Sequence, residues 1–199
     1  MFRYDSVISY LRRPFADLDE MEHFLIDQWN SVVLPGDEVW VIGNFTDRVS
    51  GLQVLGELNG TKVLVPGALD PCWPHKWASR RTARRTLREG FRRITTPQTR
   101  VQIHEVNVEV SHLPYRSEYR CPSKFAPLDE GRWLLHGSVH GDWRVRARQI
   151  NVGVDAWEGR PVPEDEVWRI MNTPGDRSAL GWRTRFEPDP YTPDPKGAA

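Results

Sequence analysis

Four short segments carry the side chains best suited to chemistry: Gly43-Asn44, Gly67-Ala68-Leu69-Asp70, Ser111-His112 and Gly137-Ser138-Val139-His140. Imidazoles, carboxylates and amide oxygens are the groups that hold divalent cations or steady phosphoryl oxygens. Each segment closes an apolar run of strand-like composition. In layered α/β folds ligands bind beyond the carboxyl ends of strands, so these turns can converge on one cleft. Taken singly they have a plainer meaning, since glycine ends strands generally and an isolated histidine is more often a core or surface residue. His23, His75, His104 and His136 stand in no partner pattern and are read as structural or surface residues. A second concentration is cationic. Lys76, Arg80, Arg81, Arg84, Arg85, Arg88, Arg92 and Arg93 lie close together against Glu89 alone. Such a run is either a solvated helix face or a contact surface for phosphate, nucleic acid or an acidic partner.

The elements that must position these groups follow from periodicity. Asp17 with Glu20 forms a capping box, and Leu18, Met21, Leu25, Trp29 and Val32 continue it as an amphipathic helix ending near Pro35-Gly36. Val39 to Ile42 is short, β-branched and closed by Gly43, the pattern of a strand buried on both faces. Leu52, Leu55 and Leu58 suggest a second helix ending at Asn59-Gly60, and Lys62 to Val65 a second strand. Residues 77–94 read as a helix with Ala83, Leu87, Phe91 and Ile94 as its inner stripe. Val106, Val108 and Val110 alternate into Ser111-His112, residues 133–135 run to Gly137, and Ile150, Val152 and Val154 alternate again. Helices mixed with strands in this way predict an α/β or α+β layered sheet. The composition changes after Asn172, so one domain is expected over 1–172 and a Pro-rich, mobile tail over 173–199.

Composition narrows the classes further. The 199 residues hold 27 Lys and Arg against 27 Asp and Glu, which argues against a protein dedicated to coating nucleic acid. Nine Trp, seven Phe and five Tyr provide a substantial core. Cys72 and Cys121 form no C-x-x-C pair, so neither a disulfide framework nor a cysteine zinc site is expected. No signal-peptide run and no apolar stretch near the roughly 20 residues of a membrane helix is present, and a cytoplasmic protein with no membrane partner is expected.

The order of the turns resembles the calcineurin-like metallophosphoesterases, in particular the small versions common in bacteria and their phages. The resemblance runs over about residues 2–171. It rests on Arg13-Pro14-Phe15, on Asp37 to Phe45, on Asn59 to Gly67, on Ser111-His112-Leu113-Pro114-Tyr115, on Leu134 to Gly141 and on Ile150 to Trp157. It implies a two-sheet β-sandwich flanked by helices in four αββα layers. The chain starts at Met1-Phe2-Arg3-Tyr4, where family members are completing a Phe-Gly-His turn, so the implied fold is truncated at its N-terminus.

The resemblance also implies two metal ions that activate water and clamp the phosphoryl oxygens. Against that pattern D-x-H is absent, Asn44 replaces the bridging Asp, and Ala68 replaces an Asn ligand. Leu69 stands at the general-acid His and Ser138 at a ligand His, while His112 and His140 are kept. One metal site retains His140 with neutral Asn44, the other His112 with the same Asn44, far short of three or more protein ligands. The expectation is a degenerate, catalytically silent or strongly impaired phosphoesterase with no cofactor, acting by binding a partner or a phosphorylated ligand. Asn44, Ala68, Leu69, Asp70 and Ser138 would form its vestigial cleft. One alternative is a residual single-metal phosphodiesterase or phosphatase using His112, His140 and Asn44 with a Mn, Fe or Zn-type ion. Another is a nucleic-acid or acidic-protein contact through the arginine-rich helix.

Overall fold

The computed structural model describes residues 2, 6–116 and 123–173. Apart from Thr173, the Pro-rich tail lies outside the described residues, as does Cys121. The first half of the chain is α1 (Val7–Leu11), α2 (Leu18–Asn30), β1 (Glu38–Ile42), a 3-10 helix (Val49–Gly56), β2 (Thr61–Val65), α3 (Ser79–Glu89) and β3 (Phe91–Ile94). The second half is β4 (Gln98–Ile103), β5 (Val106–Ser111), β6 (Leu134–His136), β7 (Val145–Arg146), β8 (Gln149–Asn151), a short 3-10 turn (Val154–Ala156) and α4 (Glu164–Asn172). The protein is therefore mixed α/β with two sheets. Among the described residues no helix is long and apolar enough to cross a membrane.

The first sheet is parallel in the order β1-β2-β3, with Trp40 opposite Val63 and Val63 opposite Arg93. Asp17 opens α2 as expected: its side chain accepts from the Glu20 N–H at 2.9 Å, and Glu20 accepts in return from the Ala16 N–H. Met21, Leu25 and Trp29 of that helix join Leu52, Leu55, Leu64 and Phe91 in one apolar cluster. Phe45 is fully buried in it, with ring centroids 5.1 Å from Phe2 and 5.2 Å from Phe91. The second sheet runs β4-β5-β6-β8-β7, with β5, β6 and β8 mutually parallel and both outer strands antiparallel. Val167, Ile170 and Met171 of α4 pack with Val108, Leu135 and Ile150 of this sheet.

The structure departs from the sequence pattern at four places. The helix expected from Leu52, Leu55 and Leu58 is a 3-10 helix that ends at Gly56, with Leu52 and Leu55 one three-residue turn apart on its buried side and Leu58 beyond its end. The helix expected over 77–94 stops at Glu89. Gly90 turns the chain at φ +137, where a Cβ would lie 3.3 Å from the Leu55 Cβ, and Phe91–Ile94 leave as a strand. Leu87 is consequently exposed, and small Thr82, Ala83 and Thr86 form the inner face instead. Strand β1 is only half-buried, with Val41 alone fully covered, because it is the outermost strand of its sheet. Strand β4, whose Gln98, Arg100 and Gln102 face water, went unrecognised in the sequence.

Replacing Phe45 with Ala should lower stability by about 3–5 kcal/mol, read as a fall in the urea midpoint at constant m value. Leu69→Ala, at a site 41% exposed, should move it by no more than about 0.5 kcal/mol.

Candidate functional site

The carboxyl ends of β1, β2, β5, β6 and β8 meet at one place, and two glycines make the meeting sterically possible. A Cβ on Gly43 would lie 2.2 Å from the Gly67 nitrogen and 2.6 Å from Asp70 Oδ2. A Cβ on Gly67 would lie 2.3 Å from Asn44 Oδ1 and 3.0 Å from His112 Cγ. No side chain larger than hydrogen fits either position. Beneath them Asp70 is fully buried and ties the two turns: Oδ1 accepts from the Phe45 and Thr46 N–H groups, Oδ2 from the Gly67 N–H at 2.8 Å. Burial pushes the Asp70 carboxyl upward while these three backbone donors pull against it.

Asn44 and His112 join the two sheets. The His112 ring sits between the Gly43 carbonyl, which accepts from Nδ1, and the Asn44 amide, whose Nδ2 donates to Nε2 at 3.2 Å. Asn44 Oδ1 in turn accepts from the Leu69 N–H at 2.9 Å. These partners fix His112 as the neutral Nδ1–H tautomer. Burial, with the neighbouring His140 adding to it, depresses the His112 pKa from 6.5 to about 4. His140 lies on the other wall, its Nδ1 3.4 Å from Asp155 Oδ2. The same Asp155 receives Arg13 in a two-pronged pair, Nε to Oδ1 and Nη2 to Oδ2, both 2.8 Å. Burial alone would raise the Asp155 carboxyl, but the His140 and Arg13 hydrogen bonds and the Arg13 charge outweigh it and hold the carboxyl well below the usual range.

These groups border a cavity of about 870 Å³. Asn44, Leu69, His112 and His140 all line it, so the convergence expected from the sequence holds for them. Three other positions differ. Ala68 faces a separate cavity of about 190 Å³ with Trp73 and Phe125. Asp70 borders neither cavity, because its carboxylate is turned into the backbone. Ser138 likewise lies outside both, its hydroxyl buried without a hydrogen-bond partner among the described residues. Elsewhere the large cavity is walled by apolar side chains including Trp29, Val33, Ile103, Val110, Leu135 and Val167, with Asp37, Glu38, Asp47 and Glu164 among them. Consecutive β1 residues from Glu38 to Ile42 line it, although their side chains alternate between faces, so the strand edge that has no partner among the described residues borders the space.

In the sequence Arg13 and Asp155 stand within segments that carry the resemblance, and neither has a residue pattern that assigns it a role. They are 142 residues apart, and nothing local signals that they pair. His136, read as structural or surface, is structural: it is fully buried, neither ring nitrogen has a hydrogen-bond partner among the described residues, and it meets Trp143 edge-on at 4.7 Å. Burial, with His112 adding to it, depresses its pKa to about 3. Lys76 also departs from expectation, since its Nζ donates to the Leu69 carbonyl at 2.6 Å and is thereby tied to the site's turn. Among the described residues no three His, Cys, Asp or Glu side chains form a group able to hold a metal ion.

No family model matches the chain. It is 31% identical over 175 residues to the Gene 66 protein of Mycobacterium phage D29, covering 80% of this chain and 87% of that one. It is 27% identical over 179 residues to the Gene 66 protein of Mycobacterium phage L5, covering 81% and 86%. An uncharacterized protein of Methanocaldococcus jannaschii is 33% identical over 181 residues, covering 85% and 86%. Among solved structures, a protein of unknown function from Aquifex aeolicus shares the fold with a TM-score of 0.59 at 21% identity, over 85% of this chain and 94% of that one.

Two tests follow from the geometry. Both buried histidines have folded pKa values below their ordinary 6.5, so protonation favours the unfolded chain. Their contribution is intact above pH 6.5, and stability should decline as the pH falls toward 4, on the order of 1 kcal/mol per pH unit for each histidine. Thermal melts across that range should show a shallower decline for His136→Phe. Asp155→Ala leaves the buried Arg13 guanidinium unpaired and should lower stability by about 3–5 kcal/mol in denaturant titration. The double change Arg13→Met with Asp155→Leu should lower it less.

Proposed function

The chain belongs to the family of the mycobacteriophage Gene 66 proteins, and we propose that it is a degenerate phosphoesterase-like protein that works by binding rather than by hydrolysis. The observation that carries this reading is the engagement of the cleft's donor atoms within the protein itself. His112 presents no free lone pair, since Nδ1–H donates to the Gly43 carbonyl and Nε2 accepts from Asn44. Asn44 Oδ1 accepts from the Leu69 N–H, and Asp155 is held by Arg13 and His140. A two-metal centre needs anionic or imidazole ligands with lone pairs aimed at the ion, and this donor set does not fit one. The Asn44 amide does something a carboxylate could not: it donates to His112 Nε2 and keeps that ring neutral. Leu69 adds a side chain that can neither give nor take a proton in place of general-acid chemistry.

A partner protein suits the cavity better than a phosphorylated small molecule. Its walls are mostly aliphatic and aromatic, and its charged lining groups are the five carboxylates of Asp37, Glu38, Asp47, Asp155 and Glu164 against the Arg13 guanidinium, which Asp155 already holds, an acidic balance that repels phosphate. Among the described residues β1 has no strand partner on the side away from β2, an edge that an extended chain could join. A parallel bridge between Phe2 and Thr46 already shows strand-like pairing just past its end. An apolar segment with basic neighbours fits both features. The grouping of helices α1, α2 and α3 with the first sheet and of α4 with the second supports a layered sandwich of the phosphoesterase type as the framework.

The test is metal content and turnover. After dialysis against Mn²⁺ the purified chain should retain well under one ion per chain by elemental analysis and should leave bis(p-nitrophenyl) phosphate unhydrolysed. One tightly held ion per chain, or turnover lost in His140→Ala, would instead establish the residual single-metal enzyme. Restoring Asn44→Asp, Ala68→Asn, Leu69→His and Ser138→His together should create measurable Mn²⁺ affinity and lower metal-free stability, because a carboxylate at position 44 loses the N–H that the buried His112 Nε2 accepts and adds an uncompensated charge beside it.

A further inference from the structure

Helix α3 carries a charged face that neither the cleft nor the core uses. Arg80, Arg81, Arg84, Arg85 and Arg88 are all exposed, and at about 100° per residue they cover about 140° of the helix circumference, opposite Thr82, Ala83 and Thr86. Arg80, Arg84 and Arg88 stand in a row with about 6 Å of rise between neighbours. Among the described residues only Arg85 of these five has an ion pair, with Glu89 at 3.2 Å. Arg92 extends the exposed set onto β3, whereas Arg93 turns back over the Trp40 ring at 5.0 Å and Lys76 is tied to Leu69. Three residues before Arg80, Trp77 is fully exposed.

From this arrangement we infer that α3 and Trp77 form a binding surface for single-stranded nucleic acid. A chain of zero formal net charge that gathers unpaired guanidinium groups on one helix face has a local field suited to a polyanion. Every cation of the helix is arginine, whose planar fork grips phosphate through two N–H donors and also stacks on bases. An indole standing free in water is the platform on which an unpaired base stacks, and in a duplex that base face is hidden. Phosphate contacts along the arginine row would supply affinity without sequence preference, and Trp77 would select single strands.

The experiment uses the full chain and a fluorescein-labelled 20-mer of thymidylate, followed by anisotropy over a series of NaCl concentrations. The logarithm of the association constant should fall linearly with that of the salt concentration. In the triple variant Arg80→Ala, Arg84→Ala, Arg88→Ala the slope should shrink in magnitude by about 2, at about 0.7 per lost phosphate contact. Trp77→Ala should weaken binding about tenfold with the slope unchanged. The matching triple Arg→Lys variant should keep the slope. All these positions are exposed, and superimposable circular dichroism melts will confirm that the variants fold. No binding at low salt, a slope indifferent to the arginines, or preference for duplex of the same length overturns the inference. So does displacement by polyglutamate at equal charge concentration, which would assign the face to an acidic protein.

Discussion

The hydrogen bond from Asn44 to His112 is the constraint on which the site and the joining of the two sheets depend. It spans 68 residues of sequence and links the end of β1 in one sheet to the end of β5 in the other. Its geometry requires Gly43 and Gly67 to lack side chains, since any Cβ there would sit inside the contact distance of Asp70 or Asn44. It also requires that residue 44 donate and accept at once, toward His112 and from Leu69, which an amide does and an ionised carboxylate does not. Asp70 then closes the turns from below with three backbone N–H donors, turning a carboxylate that could have faced a cleft into a structural tie.

The same logic governs the far wall. The buried carboxylate of Asp155 holds the two-pronged guanidinium of Arg13 beside His140, so the charge of Asp155 is balanced by protein groups. What is left open is space walled by Val, Leu, Ile and Trp side chains and bordered by a strand edge that has no partner among the described residues. In the proposed reading, such a site would take up a chain segment rather than activate water. The arginine face of α3 belongs to a different element, so the two surfaces can act independently.

Strand ends were legible in the sequence because β-branched runs closed by glycine or histidine mark them whatever surrounds them. Val63 to Val65, Val106 to Val110 and Leu134-Leu135 all stand where that pattern put them. Strand β4 was not legible, because as the outer strand of its sheet it alternates Gln, Arg and Gln with Thr, Val and Ile and lacks an apolar run. The end of α3 was missed because Phe91 and Ile94 fall at helical spacing from Leu87, and only the close approach of Gly90 to Leu55 reveals the turn. At the site, residue identities placed Asn44, Leu69, His112 and His140 together. The outward or inward aim of Asp70 and Ser138 depends on backbone geometry that periodicity does not carry. The pairing of Arg13 with Asp155 depends on contacts between opposite ends of the chain.

The most direct measurement of whether the cleft's donors are engaged by the protein is a long-range ¹H–¹⁵N correlation spectrum of the histidine side chains at pH 7, recorded with and without Zn²⁺. Occupied nitrogens on His112 require a neutral ring protonated at Nδ1, with Nε2 in the shift range of a hydrogen-bond acceptor and no response to stoichiometric Zn²⁺. A His112 Nε2 resonance that moves to the metal-bound position on adding one equivalent would contradict this, since it would show a lone pair free to ligate and a site still able to assemble a metal centre.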